Sequence, residues 1–470
     1  MGRVIRQEQG FRVHIVRYSL VMRYVNDLKI HCGDLRIRHS ILWAASCVAA
    51  MTALGVGRAY AALDYRDTLY RDTLEKAVDP PGDIKVDAGK IFDVFAADQE
   101  SFDNNLFRLP TSVTDLSGTV GPNASREDHI NTSSAGLDGQ WDLGRQIVAL
   151  DLRADDNRYA RNSNLNNVSG NSKAIWNWAL ASTLSGQVGA DYTRSIASFV
   201  NTNVYTRNLV SQWEYFGGAR YQIGPRWAVF GGVLQTDTRL SALASRPNDN
   251  NQKSVEVGTE YATGIQDSFG VEYRYTDASY PNTLVSNGAA LSRNYNEDRA
   301  RLFLKYAISD KTLIDASAGF LKRNYPNHGI GEFSGDIWRA SLQWQPREKT
   351  QIMAVAWREL HAYLTADSDY YVSNGVSVSP IWSASEKINL SMLFSSEKQD
   401  YIGSAPGVTV AGSRHDKLFA EQANLGYTPA RYVTVNFSLR HEQRSTNQGQ
   451  FGYNDTLAMI GVTAKFGEFY

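Results

Sequence analysis

The chain has 470 residues, 43% of them hydrophobic and 21% charged, with a formal net charge of −1. This composition excludes a disordered chain, and the lack of any run of about 18 apolar residues beyond the N-terminal region excludes an ordinary helical membrane span. A near-neutral balance with no basic stretch also excludes a nucleic-acid binder.

The first element reads as an address segment. Arg36, Arg38 and His39 precede the apolar residues 41–50, and the small-x-small run Ala59-Tyr60-Ala61 follows, which is the order of a secretory signal cleaved near Ala61. Met22 would serve as a later start, and a single anchoring helix is the alternative reading. Residues 1–61 are therefore set apart from the fold. Both cysteines, Cys32 and Cys47, leave with that segment, so the mature chain has no thiol for a disulfide, a nucleophile or a metal site. It also holds nine Lys/Arg against three Asp/Glu, so the balance falls from −1 to −7. Residues 62–87 form a short polar lead with the near-duplicate runs Tyr65-Arg66-Asp67-Thr68-Leu69 and Tyr70-Arg71-Asp72-Thr73-Leu74. This lead is far shorter than a plug domain of about 100 residues.

From residue 88 to 470 the chain has one rhythm. Its opening strand leads into Asp103-Asn104-Asn105-Leu106-Phe107-Arg108-Leu109-Pro110. Together with Phe92-Asp93-Val94-Phe95 before it, this segment resembles the first strand and loop of the outer-membrane β-barrel proteins encoded with exopolysaccharide operons, the EpsL-like group. In that group an acidic-Asn-Leu-Phe-Arg-Leu-Pro string follows the opening strand; here a second Asn, Asn104, stands where an acid is expected. The resemblance implies a part in exopolysaccharide export, with a polysaccharide as partner.

Period-2 segments then recur, roughly 18 of them at ~9–14 residues each, the length a tilted strand needs to cross a bilayer. Examples are Phe269, Val271, Tyr273 and Tyr275 against Gly270, Glu272 and Arg274, and Val433, Val435, Phe437 and Leu439 against Thr434, Asn436, Ser438 and Arg440. Tight links at Ile223-Gly224-Pro225-Arg226, Gly264-Ile265-Gln266-Asp267, Ser309-Asp310-Lys311, Gln345-Pro346-Arg347-Glu348 and Thr428-Pro429-Ala430-Arg431 alternate with long polar links. The long ones span residues 238–252, 277–296, 323–332, 399–415 and 444–454. Such alternation is expected of an up-and-down barrel with turns at one rim and loops at the other. Tyr221, Trp227, Tyr306, Trp344, Trp382, Tyr427 and Tyr432 all fall near tight links, where an interfacial ring girdle would lie.

If the apolar faces meet lipid, the inward set includes Glu272, Arg274, Arg301, Lys305, Asp315, Arg339, Arg358 and Arg440. Arginines among them suit bidentate binding of acidic groups, and mixed lumen charges also serve simply to pair and stiffen the wall. The candidate catalytic bases are His129, His328, His361, His415 and His441. The adjacent pairs Asp128-His129 and His415-Asp416 point to opposite faces of a strand, and no Gly-x-Ser-x-Gly elbow is present. No cofactor, metal site or enzyme is expected. The last strand places Ala458, Ile460, Val462, Ala464 and Phe466 on one face and ends at Glu468-Phe469-Tyr470, a terminal ring that would engage the barrel-assembly machinery.

The sequence thus specifies an all-β chain: a transmembrane up-and-down antiparallel β-barrel of about 18 strands (16 being the alternative) in the bacterial outer membrane, monomeric, with both termini periplasmic. The expected function is an exopolysaccharide-export channel. A general diffusion porin is the first alternative and an outer-membrane hydrolase the least favoured.

Overall fold

The computed structural model describes residues 90–202, 204–264, 267–282, 284–286, 289–326, 332–362, 370–402 and 413–466. Residues 1–61 and 62–87, His328 and the terminal Glu468-Phe469-Tyr470 lie outside the described residues, and so do the expectations attached to them.

Among the described residues, twenty strands follow in chain order. They are β1 (Lys90–Asp103), β2 (Asp128–Leu143), β3 (Gln146–Tyr159), β4 (Asn167–Leu180), β5 (Leu184–Ile196), β6 (Leu209–Ile223) and β7 (Trp227–Leu240). Next come β8 (Asn250–Ala262), β9 (Ser268–Ser279), β10 (Leu284–Ser286), β11 (Ala289–Leu291), β12 (Tyr295–Ser309), β13 (Thr312–Asn324) and β14 (Phe333–Arg347). The last are β15 (Thr350–Ala362), β16 (Tyr370–Ser385), β17 (Ile388–Ile402), β18 (His415–Ala430), β19 (Val433–Thr446) and β20 (Tyr453–Phe466). Eighteen form one antiparallel sheet in which each strand pairs with its sequence neighbours, while β10 and β11 make a separate hairpin inside the β9–β12 loop.

The sheet closes because β1 pairs with β20, from Val94 opposite Phe466 to Asp103 opposite Leu457. Closure removes the two unpaired edges that a sheet this wide would otherwise present, a requirement wherever water cannot satisfy them. Side-chain alternation explains the two faces. On β9, Ser268, Gly270, Glu272, Arg274, Thr276 and Ala278 are buried, whereas Phe269, Val271, Tyr273 and Tyr275 are exposed. The exposed set continues round the outside with Val255, Val257, Leu302, Leu304, Ile460 and Val462. In water this apolar skin would be costly; facing lipid it is the favourable arrangement.

One rim carries tight hairpins, such as Leu143 opposite Gln146 and Ile223 opposite Trp227. Gly144 and Gly224 supply the positive φ there, +68° and +66°, while Ala181 adopts +60° without that freedom. At two hairpins the structure differs from the sequence reading. β14 and β18 run on through Pro346 and Pro429 to Arg347 and Ala430, and the ladders slip between Trp344 and Arg347 and between Tyr427 and Ala430. A proline cannot donate to the ladder, so it is absorbed in a bulge rather than ending the strand. The turns fall after the prolines.

Candidate pore and its mouth

Five inner-wall rings lie across a glycine directly opposite on the next strand: Phe95 over Gly136, Phe216 over Gly189, Phe230 over Gly258, Phe303 over Gly270 and Trp357 over Gly375. A Cβ at Gly270 would stand 2.2 Å from Phe303 Cζ, and one at Gly375 2.2 Å from Trp357 Cζ2. Each glycine is there so that the ring lies flat against the wall rather than projecting into the lumen.

Between these rings the inner face carries charge, and most of the arginines are matched by a carboxylate. Arg274 Nε and Nη2 donate to Glu256 Oε2 at 2.8 and 2.5 Å, and Arg301 Nε donates to Glu272 Oε1 at 2.6 Å. Arg299 lies 3.5 Å from both carboxylates. Further pairs are Arg220 with Glu260 (2.6 Å), Arg323 with Glu297 (2.5 Å), Arg339 with Glu359 (3.2 Å), Arg440 with Glu442 (2.7 Å) and Arg414 with Asp416 (2.5 Å). A guanidinium removed from bulk water requires such a partner, since an unpaired buried charge costs several kcal/mol.

The lumen candidates from sequence divide accordingly. Glu272, Arg274 and Arg440 are inward and buried, and Arg301 and Arg339 are inward and paired. Lys305 and Asp315 stand directly opposite each other on β12 and β13 and are half-buried. Arg358 is a correction. It is opposite Trp338 and Asn374 on the outward face, donates to Asn374 Oδ1 at 2.9 Å and pairs with the exposed Asp336 at 3.3 Å. Its neighbour Trp357 takes the inward place. Tyr221, Trp227, Tyr306, Trp344, Trp382, Tyr427 and Tyr432 are all exposed beside the tight-turn rim.

Two features escaped the sequence reading. The first is an inner row running directly across six strands: Asp93, Asp138, Asp151, Lys173, Asp191 and Glu214. It was missed because acids on separate strands align only once the register is known. The second is the mouth. Residues 104–127, between β1 and β2, pack Leu106, Phe107 and Leu109 against Tyr159, Leu165 and Phe199. Phe107 meets Phe199 edge-on at 5.0 Å and Tyr205 at 6.1 Å, which ties this loop to the β5–β6 loop. Arg444 on β19 then donates to Val200 O at 2.6 Å, although five strands lie between β19 and β5 round the wall. The β5–β6 loop therefore reaches across part of the barrel mouth.

The Asp103–Pro110 string builds this loop. Asn105 Nδ2 donates to Leu109 O at 2.9 Å and to Asn454 O at 2.8 Å, and Arg108, at φ +55°, bridges Asp103 and Asp455 at 3.0 and 2.9 Å. Burial alone would push the Arg108 guanidinium down, but the charges of Asp103, Asp455 and Glu442, with Tyr453, override it and hold the group above its ordinary value. Arg126 threads the loop from inside, donating to Asn105 Oδ1 (3.1 Å), Leu109 O (2.9 Å), Pro110 O (3.2 Å) and Val113 O; burial lowers its pKa.

A closed cylinder with an apolar exterior and a charged, paired interior is a porin-like β-barrel of the bacterial outer membrane. Among known families, the model described as "Putative beta-barrel porin 2" matches residues 249–466. Solved structures that match include OpdK of Pseudomonas aeruginosa (11% identity over 80% of this chain and 99% of that one, TM-score 0.42). A BenF-like porin of Pseudomonas fluorescens Pf-5 (10%, 80% and 99%, 0.43) and OccAB3 of Acinetobacter baumannii (10%, 81% and 100%, 0.45) also match. No curated protein matches the chain.

Proposed function

We propose that this chain is a porin that passes small hydrophilic solutes across the outer membrane. The observation that carries the reading is the inner face. Polar and ion-paired residues line every side of a sheet whose outer face is apolar, the arrangement of a water-filled path rather than a packed core. In this reading residues 1–61 are a signal segment, 62–87 a periplasmic lead and 88–470 the barrel. The tight-turn rim and both termini face the periplasm, and the mouth loops face outward. Outer-membrane lipid and the assembly machinery are its partners.

Export of an exopolysaccharide is the second reading, and it rests on the Asp103–Pro110 string. Because Asp103, Asn105 and Arg108 are engaged in holding the loop together, they support it less than the sequence alone implied. Conductance of the purified protein in planar bilayers tests both. Ion-conducting steps insensitive to an acidic polysaccharide support the porin; block by the polymer supports export; absence of conductance refutes both.

A further inference from the structure

The outer end of the β17–β18 ladder carries a group of side chains that the pore does not use. On the outward face Asp400 stands directly opposite His415, and two rungs below it, on the same face, Lys398 stands opposite Lys417. His415 Nδ1 lies 2.6 Å from Asp400 Oδ1, and His415 Nε2 lies 3.0 Å from Ser413 Oγ. A carboxylate only accepts, so Asp400 fixes the proton on Nδ1 and leaves the Nε2 lone pair to accept from the Ser413 hydroxyl. Hydroxyl, imidazole and carboxylate in this order form the relay that activates a serine nucleophile.

The surroundings hold that relay in place. Ser413 and His415 are two residues apart in extended chain and share a side, while Arg414 between them turns inward to Asp416. Asn447 clamps the backbone at both ends: His415 N donates to its Oδ1 at 2.8 Å, and its Nδ2 donates to Ser413 O at 2.7 Å. Lys398 Nζ reaches Asp400 at 3.2 Å, so the lysine row extends up to the level of the relay. His415 is half exposed, open to whatever covers the outer face.

Charge on the same face indicates the kind of substrate. Like charges directly opposite in a ladder are destabilising. Inside the barrel the facing pair Arg274 and Arg299 is closed by Glu256. Outside, Asp400 serves Lys398, whereas Lys417 has no hydrogen-bonding or ion-pair partner among the described residues. An anionic group bridging the two ammoniums would stabilise the rung. The surface just below, with Phe394 and Phe419 exposed, faces lipid.

We propose that Ser413, His415 and Asp400 form a serine hydrolase centre on the outer wall of the barrel, acting on acyl esters of anionic lipids of the outer leaflet. Ser413 Oγ attacks the ester carbonyl carbon as its proton passes to His415 Nε2. The carbon–oxygen bond to the alcohol breaks as that proton moves to the leaving oxygen. Water then attacks the acyl-serine, giving one proton through His415 back to Ser413 Oγ and releasing the carboxylic acid. Ser413 and His415 are the catalytic residues, Asp400 positions the imidazole, and Lys398 and Lys417 hold the anionic headgroup.

The full chain in detergent micelles tests this directly with a fluorophosphonate probe and with phosphatidylglycerol or phosphatidylcholine as substrate. The expected result is one phosphonate adduct on Ser413 and release of fatty acid from phosphatidylglycerol. Both should be abolished in Ser413→Ala and lowered about 10³-fold in His415→Asn. Asp400→Asn should lower kcat with KM unchanged, because the imidazole loses the acceptor that fixes its tautomer and orientation. Lys417→Gln should weaken phosphatidylglycerol hydrolysis about fivefold and phosphatidylcholine hydrolysis less, since choline offsets the phosphate charge. No adduct on Ser413 in the parent protein, or fatty-acid release persisting in Ser413→Ala, overturns the proposal. Ser413 lies outside the lumen, so its alanine variant should keep the parent's conductance and heat-shifted gel mobility. A silent bilayer would thus refute the porin and not the hydrolase.

Discussion

Replacing Glu256 by Gln should be among the most damaging conservative substitutions in the barrel. Glu256 is only 1% exposed, and its Oε2 takes Arg274 at 2.5 and 2.8 Å and lies 3.5 Å from Arg299. The amide keeps the volume, so no cavity opens and the whole effect is electrostatic. Arg274 and Arg299 face each other directly across the ladder, with Cβ atoms about 4.5–5.5 Å apart. Without the carboxylate, Arg274 and Arg299 face each other with the anion that bridges them gone. Breaking a buried pair from one side costs about 3–5 kcal/mol. The loss should persist in about 1 M salt, because buried pairs are poorly screened. The assay is the temperature or urea concentration at which the fast-migrating folded band disappears, measured for Glu256→Gln, Arg274→Gln and the double variant. The double variant should recover most of the loss. Stability of Glu256→Gln within about 0.5 kcal/mol of the parent, the range of neutral surface changes, would refute the reasoning.

Three further outcomes are expected. Gly270→Ala should cost about 1–3 kcal/mol by the same band-shift assay, because its Cβ would meet Phe303 Cζ at 2.2 Å and the backbone Thr259 O at 2.3 Å, and a Phe303→Leu background, which relieves only the first contact, should recover part of the cost. Arg444→Ala releases Val200 O and should raise and destabilise single-channel conductance without lowering the band-shift temperature as far as Glu256→Gln does. Ala181→Gly should stabilise the barrel by about 1 kcal/mol, since φ +60° strains an alanine; an unchanged unfolding midpoint would argue against strain at that turn.

Strand number, closure and the alternation of turn and loop were legible in the sequence because each rests on local pattern. Period-2 faces such as Phe269 to Tyr275, and turn residues such as Gly224-Pro225, record the environment of single residues. What was not legible depends on register or on folded loops. The Asp93 to Glu214 row and the pairing of Arg274 with Glu256 exist only when separate strands are set side by side. The same holds for His415. Its neighbour in sequence, Asp416, points inward to Arg414, and its partner in space is Asp400, on the strand before. The Asp103–Pro110 string was visible, but what it does was not, because Asn105 and Arg108 find partners in Asn454 and Asp455, some 350 positions away in the chain.

The misplacement of Arg358 follows from a physical device rather than from chance. Reading a barrel strand assumes that polar residues face the lumen, and on β15 that assumption fails: Val355 and Trp357 are buried inside, while Arg358 stands outside with Asn374 and Asp336. The cause is Gly375, which vacates the inner wall opposite Trp357 so that the indole can cover it, with Nε1 donating to Ser373 Oγ at 2.8 Å. A ring that spans its own place and its neighbour's moves the apolar mass inward without shifting the register by a single residue. The register is held by the ladder on both sides, so Arg358 cannot slip to the lumen and instead turns to polar groups on the outer face. Wherever a glycine lies opposite an inward ring, the alternation of the sequence can therefore invert while the backbone pairing stays regular. Gly270 admits Phe303 in the same way while Phe269 to Tyr275 keep their outward face, so the inversion arises only where, as at Arg358, the outward place beside the ring is itself polar.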